Sequence, residues 1–480
     1  MWNIVINIAQ KLYRKDINTK KYLKYFGIYF TIMIVFLLLI WPGHWVWDEI
    51  FIIENTSNCN VFQWQSVITQ IYYGVILLLI PHPVAITIIQ IILISMIIAY
   101  IQTRTELTYN NKWLNLILYG VFLFPSIIIN NLYVIRLTIY SYIMLLLASI
   151  LIFDKINKEE ISIAKAILLI ILSTLIILWR SEGIIFLVFI PIMLLITYKK
   201  LRKPIFATLI CAILILNSYI YKSALKKYED PMYNLVIYIN PLSIMLQQPL
   251  NGDVEEALAN LDKVFSIEEI KKYPSYQEIV AYWEGNAIRE NYKENADKVM
   301  RNVVKIILNN PISFISARLK TFIASSGMDF TANNEVDSRF LNLILFNEDS
   351  WQVKQIQNEY AGFTPINPKL KTGVETFLMG VIKQSENNIQ ITPIKVIFWN
   401  FLPILIIISI LLIIKFIKKQ WLIFTLCLSI LAQAGIVFLT APASYFMYYF
   451  PEYITGILII SICVFEYIKG VKNDRIFKEK

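Results

Sequence analysis

Long runs of Ile, Leu, Val and Phe alternate with short polar segments over residues 25–220 and again from 394 to 468. Runs long enough to cross a bilayer fall at about 25–41, 84–102, 113–129, 137–153, 161–178, 184–197, 205–220, 394–414, 421–439 and 452–468. Each predicts a membrane helix. The stretch "SVITQIYYGVILLLI" (66–80) is also apolar, but it is short and runs into Pro81 and Pro83, which oppose helix continuation.

Charge decides whether 66–80 crosses. If it does not, the segments 1–24, 103–112, 154–160, 198–204, 415–420 and the tail after 468 share one side, and they hold the strongly basic patches outside the large loop. Segment 42–83 on the other side contains no Lys or Arg. Basic connectors mark the cytoplasmic face, so 66–80 reads as a juxtamembrane helix half-buried in the outer interface. The expectation is an all-α polytopic membrane protein of about ten transmembrane helices with both termini cytoplasmic. Residues 2–13 read as a short amphipathic helix on the inner leaflet rather than a cleavable signal.

Three units follow. Residues 1–220 form an N-terminal transmembrane module with its first outer loop at 42–83. Residues 221–393 form a mainly helical outer-face domain, in which "NPISFISARLKTFIASS" (310–326) is amphipathic and is placed on the outer interface. Residues 394–480 form a C-terminal transmembrane module with a basic cytoplasmic tail. Short outer turns lie at 125–136, 179–183 and 440–451.

Composition agrees with this reading. The 480 residues are 57% hydrophobic, with a mean hydropathy of +0.58, too apolar for a soluble protein of this length. The net charge of +10 is carried by the inner connectors, as the positive-inside rule requires, and does not form a nucleic-acid surface. Abundant Ile, Asn and Lys suit an AT-rich bacterial genome and hence a bacterial cytoplasmic membrane. The four cysteines and two histidines have no metal-site or disulfide spacing. No GxGxxG, Walker loop, GxSxG or HExxH occurs, so nucleotide-driven transport and serine or zinc hydrolysis have no motif behind them.

The candidate chemistry lies in the outer turns. In "WPGHWVWDEIFIIE" (41–54), Asp48 and Glu49 are adjacent acids among Trp41, Trp45 and Trp47, and indole rings favour headgroup depth. A carboxylate partly desolvated there becomes a better base for a hydroxyl at the membrane surface. The pair is also the one candidate holder of a divalent cation. His44 lies one helical turn before Asp48, where it either orients a substrate or is simply a polar interface residue. His82, between two prolines, reads as structural. In "WRSEG" (179–183), Arg180 either forms a solvated turn pair with Glu182 or holds a phosphate, since a guanidinium matches phosphate oxygens bidentately. Arg136 is the single charge in its turn and either snorkels to headgroups or binds a lipid-linked phosphate. Tyr445 and Tyr448 in "APASYFMYYFPEY" form a sugar-stacking surface or an aromatic belt, and Glu452 is the one acid there.

This pattern resembles the GT-C glycosyltransferase superfamily: an acidic residue in the first outer loop, juxtamembrane helices before the second span, short inner loops and a large late outer domain. "FPSIIINNLYVIRLTIYSY" is similar to the family's outer turn, where a Ser-Pro-like start leads to an Arg. The His-Pro-Pro-Leu-Tyr-type element that often opens the juxtamembrane helix is replaced by "FQWQSVITQIYYG". The Arg of a late Arg-Tyr-x-x-Pro turn is absent from "APASYFMYYFPEY". The resemblance covers roughly 25–200 and 390–468, in topology more than identity. It implies a polyprenyl-phosphate-linked sugar as donor, a glycan or lipid acceptor at the outer leaflet, Asp48 as base with Glu49 beside it, and Arg136 as phosphate contact. A Mg or Mn ion is a further possibility at Asp48. Two other classes stay open: an O-antigen or capsule polymerase using a lipid-pyrophosphate oligosaccharide, in which Arg180 would outweigh Asp48, and a lipid-linked-sugar transporter or flippase.

Overall fold

The computed structural model describes residues 17–45, 47–60, 66–198, 203–222, 230–328, 357–385 and 388–468. The expected inner-leaflet helix at 2–13 and the basic tail lie outside them. Each apolar run forms a helix, and the polar residues between runs stop it. α1 (Ile17–Leu39) leads into the first loop, which carries α2 (Trp47–Ser57) and α3 (Val67–Leu79). α4 (Val84–Tyr109) starts after Pro83 and ends at Asn110, which takes the left-handed conformation common at helix C-termini. The next residue, Asn111, caps α5 (Lys112–Val121) by accepting from the backbone N–H groups of Trp113 and Leu114.

The apolar run 113–129 is not one straight rod. Pro125 cannot continue the preceding helix, so α5 and α6 (Pro125–Asn131) meet at 62°. α7 (Arg136–Asn157), α8 (Ile163–Trp179), α9 (Phe186–Thr197) and α10 (Lys203–Ile220) complete the N-terminal module. Among the described residues six helices are long and apolar enough to cross a membrane: α1, α4, α7, Pro393–Ile417, Trp421–Thr440 and Phe446–Ile468, or seven spans if the bent pair counts as one. The runs at 161–178, 184–197 and 205–220 fall on apolar helices shorter than that test requires. The stretch 66–80 forms the 13-residue α3, about 20 Å long against a hydrocarbon core of about 30 Å.

α7 lies at the centre of the bundle. It packs against α4, α8 and the last helix, and nearly all its side chains are buried. One large core joins α1 and α4–α9 to the C-terminal helices. At the end carrying the basic connectors, four helices are tied by ionic contacts. Lys165 lies 2.8 Å from Asp154 and 2.9 Å from Glu159. Arg104 pairs with Glu159 at 2.5 Å, and the Tyr198 hydroxyl donates to Asp154 at 2.5 Å. Burial pushes the Glu159 carboxyl up, but Lys165 and Arg104 outweigh this and hold it at about 2.

The large loop forms two parts. Residues 230–325 carry α11 (Pro231–Met245), α12 (Glu255–Leu261), α13 (Ile267–Lys272), α14 (Val280–Trp283), α15 (Ala296–Asn309) and α16 (Pro311–Ser325). Much of this part, from Leu235 to Ile306, shares a separate core. The second part carries α17 (Pro368–Met379) and a two-stranded antiparallel hairpin, β1 (Val381–Ser385) and β2 (Asn388–Ile391). Its Leu378, Met379 and Val381 belong to the core of the long helices instead. α18 (Pro393–Phe398), α19 (Leu402–Ile417), α20 (Trp421–Thr440) and α21 (Phe450–Ile468) close the chain.

Candidate active site at the end of the bundle opposite the basic connectors

Asp48 and Glu49 occupy the first turn of α2, where the unpaired amide N–H groups favour negative charge. Consecutive helix positions turn them about 100° apart. Asp48 is half-buried and Glu49 fully buried. The loop holding them is laced to the turn before α7. The His44 backbone N–H donates to Leu132 O at 3.0 Å, and the Tyr73 hydroxyl donates to Val134 O. The charges of both acids act on the buried phenols of Tyr73 and Tyr133.

Trp45 and Trp41 are held by protein contacts, and the Trp47 side chain lies outside the described residues. Trp45 is buried against Phe363, ring centres 5.2 Å apart, and the Trp41 indole donates to Gly362 O at 2.8 Å. The segment around 361–363 therefore covers the first loop. α17 reinforces it from below: the Lys371 ammonium donates to Ile40 O at 2.9 Å and Gly43 O at 2.7 Å. Lys371 also pairs with Glu375 at 3.2 Å, and Glu375 lies 3.5 Å from His44 Nδ1. All three side chains are buried, so His44 belongs to a buried network that seats the acidic loop.

Burial is the main cause that lowers the His44 pKa, opposed by Glu375 and assisted by Lys371. The unfolded chain then takes up the proton that folded His44 resists. The resulting stability is fully present above the unfolded value of about 6.5 and is lost as pH falls below it. The apparent Tm in detergent is expected to drop between pH 7.5 and pH 5.5, and His44→Asn should flatten that drop. An unchanged slope in the variant would remove His44 as its source.

Arg136 opens α7. Its guanidinium donates to the Tyr233 hydroxyl at 2.9 Å and lies 5.5 Å from that ring's centre. Among the described residues no carboxylate pairs with it. Arg180 holds an extended conformation between α8 and the 3-10 turn Ser181–Ile185. Its Nε donates to Glu182 at 3.0 Å and its Nη2 at 2.5 Å. The pair exists, as the turn reading expected, but it is buried rather than solvated. Burial alone would pull the Arg180 guanidinium down; Glu182 more than offsets this and holds it above its ordinary range.

Gly183 makes this turn possible, because a Cβ there would lie 2.0 Å from Ile176 O. Gly183→Ala is expected to cost about 1–3 kcal/mol or more, in the range of overpacked cores. A thermal melt checks this, and an unchanged Tm would show that the turn relaxes freely.

Tyr445 and Tyr448 lie beside each other, ring centres 5.8 Å apart. The Tyr445 hydroxyl donates to Glu278 at 3.1 Å, and Ser444 N–H donates to Gln277 O at 2.8 Å, which joins this turn to the large loop. Burial and then the Glu278 charge push the Tyr445 phenol well above its ordinary range. The Tyr448 phenol lies in the field of Arg180, Asp48, Arg136 and Tyr233 together. Arg136 also acts on Glu182. The fields of Asp48, Arg136 and Arg180, from three segments far apart in sequence, thus reach one tyrosine.

Hydrogen-bond capacity is left over at this point. Buried Arg180 Nη1 and Arg136 Nε have no hydrogen-bond acceptor among the described residues. A guanidinium with a spare donor can take an anion, and Asp48, half-buried at the same end of the bundle, is a carboxylate on which a proton can land. Both carboxyl oxygens of Glu452, buried in the first turn of α21, also lack a hydrogen-bond partner there.

Tyr233, Glu278 and Glu452 are not distinguished by the sequence reading as site residues. Tyr233 follows Arg136 by 97 residues and reaches it through folding of the large loop. No local motif marks it. No described group of three or more His, Cys, Asp or Glu side chains is arranged to hold a metal ion. No protein-family model, curated protein or solved structure matches the chain.

Proposed function

We propose that the chain is an integral-membrane glycosyltransferase that moves a sugar from a polyprenyl-phosphate donor to a hydroxyl of a glycan or lipid acceptor. The observation that carries this reading is the pair of arginines with spare guanidinium donors, Arg136 and Arg180, at the same end of an apolar helical bundle as the half-buried Asp48. In this reading all ten apolar runs cross the bilayer, both termini are cytoplasmic, and the site faces the outer leaflet of a bacterial cytoplasmic membrane. The alternation of basic and uncharged connectors supports that orientation.

The chemistry needs one base and one anion cradle. Asp48 takes the proton of the acceptor hydroxyl, whose oxygen attacks the anomeric carbon from the face opposite the phosphate. The carbon–oxygen bond to the phosphate breaks, and its electron pair leaves on the phosphate oxygen. Arg136 and Arg180 meet the charge developing there with guanidiniums already held by Tyr233 and Glu182. Glu182 holds Arg180 in place from one edge and leaves Nη1 for the ligand. Tyr445 and Tyr448 offer ring faces and hydroxyls to the sugar. A divalent cation, if bound by Asp48 and phosphate oxygens, would add positive charge at the leaving group.

A single displacement inverts the anomeric centre. Purified protein in proteoliposomes, given a polyprenyl-phosphate monosaccharide and an acceptor glycan, is expected to release polyprenyl phosphate and yield an inverted linkage. A retained linkage would rule out this mechanism. The presence of two arginines also favours a second reading, a polymerase taking a lipid-pyrophosphate oligosaccharide. Consumption of that donor alone would select the polymerase.

A further inference from the structure

We infer that α15 and α16 form a membrane-contact element, immersed by its outward face in the leaflet on the site's side, that sets the depth of the arginine cradle. This rests on the apolar helices being membrane-spanning and on no particular reaction.

The polarity of α16 is inverted. Its buried positions are Ala317, Arg318, Thr321 and Ser325, while Ile312, Ile315, Leu319 and Ile323 are exposed. Those four recur at spacings of three and four, so they share one face. A helix on a water-soluble domain buries its aliphatic stripe and exposes its arginine. α16 does the reverse, with Ile312 84% exposed. α15 also exposes Met300, Val304 and Leu308, the last 74% exposed, and buries Val299, Val303 and Ile306 inward. α15 thus has one face that the protein covers and another, where Val304 and Leu308 adjoin Lys298, Arg301 and Lys305, that it does not.

The location of α16 identifies what covers the other. Arg318 donates to Phe438 O at 2.6 Å and Ala441 O at 2.9 Å, carbonyls at the C-terminal end of α20. Phe322 packs on Phe438, Phe401 and Tyr449, ring centres 5.3–5.6 Å apart. α16 is therefore fastened at the level where two long apolar helices end, beside exposed Leu439. At that level a bilayer passes from hydrocarbon to headgroups. In this reading the exposed stripe meets the same leaflet as the exposed apolar side chains of the spans. Lys298, Arg301, Lys305 and Lys320 flank it, with long stems suited to reaching headgroup phosphates.

The element is mechanically joined to the site. Thr321 donates to Asn240 at 3.1 Å, on the same α11 that presents Tyr233 to Arg136. Phe322 packs on Tyr449, the residue after Tyr448. Lipid that fixes α16 also fixes both tyrosines beside the arginines, at the height where a lipid-borne anion would arrive.

A photo-crosslinking amino acid placed singly at Ile312, Leu319, Ile410 or Asp262 in the full chain tests this in phosphatidylethanolamine–phosphatidylglycerol vesicles. Phospholipid adducts are expected at 312 and 319 at a level comparable to 410 on α19, with none at 262. Adducts at 410 but not at 312 and 319 would overturn the inference. So would crosslinked dimers at 312 and 319, which would assign the face to a second copy of the chain.

Discussion

Asp48→Asn is expected to reduce sugar transfer by about 10²–10⁴-fold, the usual contribution of a general base, while the protein still inserts and melts near the wild-type temperature. Asparagine keeps the shape of the side chain but cannot take a proton. Its structural cost is small, because Asp48 is only half-buried and the main loss is a favourable charge at a helix N-terminus, worth about 0.3–1 kcal/mol. Glu49→Gln is the matched control. Glu49 is fully buried beside Tyr73 and Tyr133, so its replacement should act on stability rather than on the chemical step. Release of polyprenyl phosphate and a thermal melt read the two effects separately. A wild-type transfer rate in Asp48→Asn would end the assignment of Asp48 as base, and equal rate losses in both variants would make the pair structural.

The helices were legible because burial in lipid or in a large apolar core leaves a one-dimensional signal, and every apolar run identified in the sequence falls on a helix. Two runs depart from a single rod: 113–129 bends before Pro125, and 394–414 is interrupted between α18 and α19. Proline alone does not mark such breaks, because Pro191 and Pro241 lie inside α9 and α11. The charge pattern is what marks 66–80 as a non-crossing segment. The structure gives it a 13-residue helix, and the runs at 161–178, 184–197 and 205–220 also form short apolar helices, so length alone does not set it apart. The division of the large loop was less accessible. Leu378, Met379 and Val381 look like ordinary apolar residues of a polar domain, and only tertiary packing shows that they join the core of the long helices. The site was legible one residue at a time. Asp48, Arg136 and Arg180 stood out as charges at the ends of apolar runs, but what lies around them depends on contacts between distant segments. Tyr233 and Glu278 come from the large loop, where tyrosine and glutamate are common. The contact of Trp45 with Phe363 was not legible, because an indole is as suited to a buried contact as to a headgroup layer and the sequence does not distinguish them.

The second large effect concerns the Arg180–Glu182 pair, and it separates scaffold from ligand binding. Arg180→Ala removes the partner of a buried carboxylate, and breaking a buried pair from one side costs about 3–5 kcal/mol. A loss of transfer in that variant alone would therefore not show that Arg180 holds phosphate. The double variant Arg180→Ala/Glu182→Gln removes both charges and leaves no uncompensated ion, so its Tm should recover much of the single variant's loss. Transfer should not recover with it. Arg180 presents Nη1 beyond its contacts with Glu182, and neither alanine nor glutamine replaces a cation at the leaving group. Removing a preorganised charge-stabilising donor costs about 10²–10³-fold in rate. Arg180→Lys completes the series: it keeps the charge beside Glu182 but loses the planar fork, so stability should lie near wild type with transfer intermediate. If the double variant regains activity together with stability, Arg180 serves the fold alone, and Arg136 with its single tyrosine partner is left as the phosphate contact.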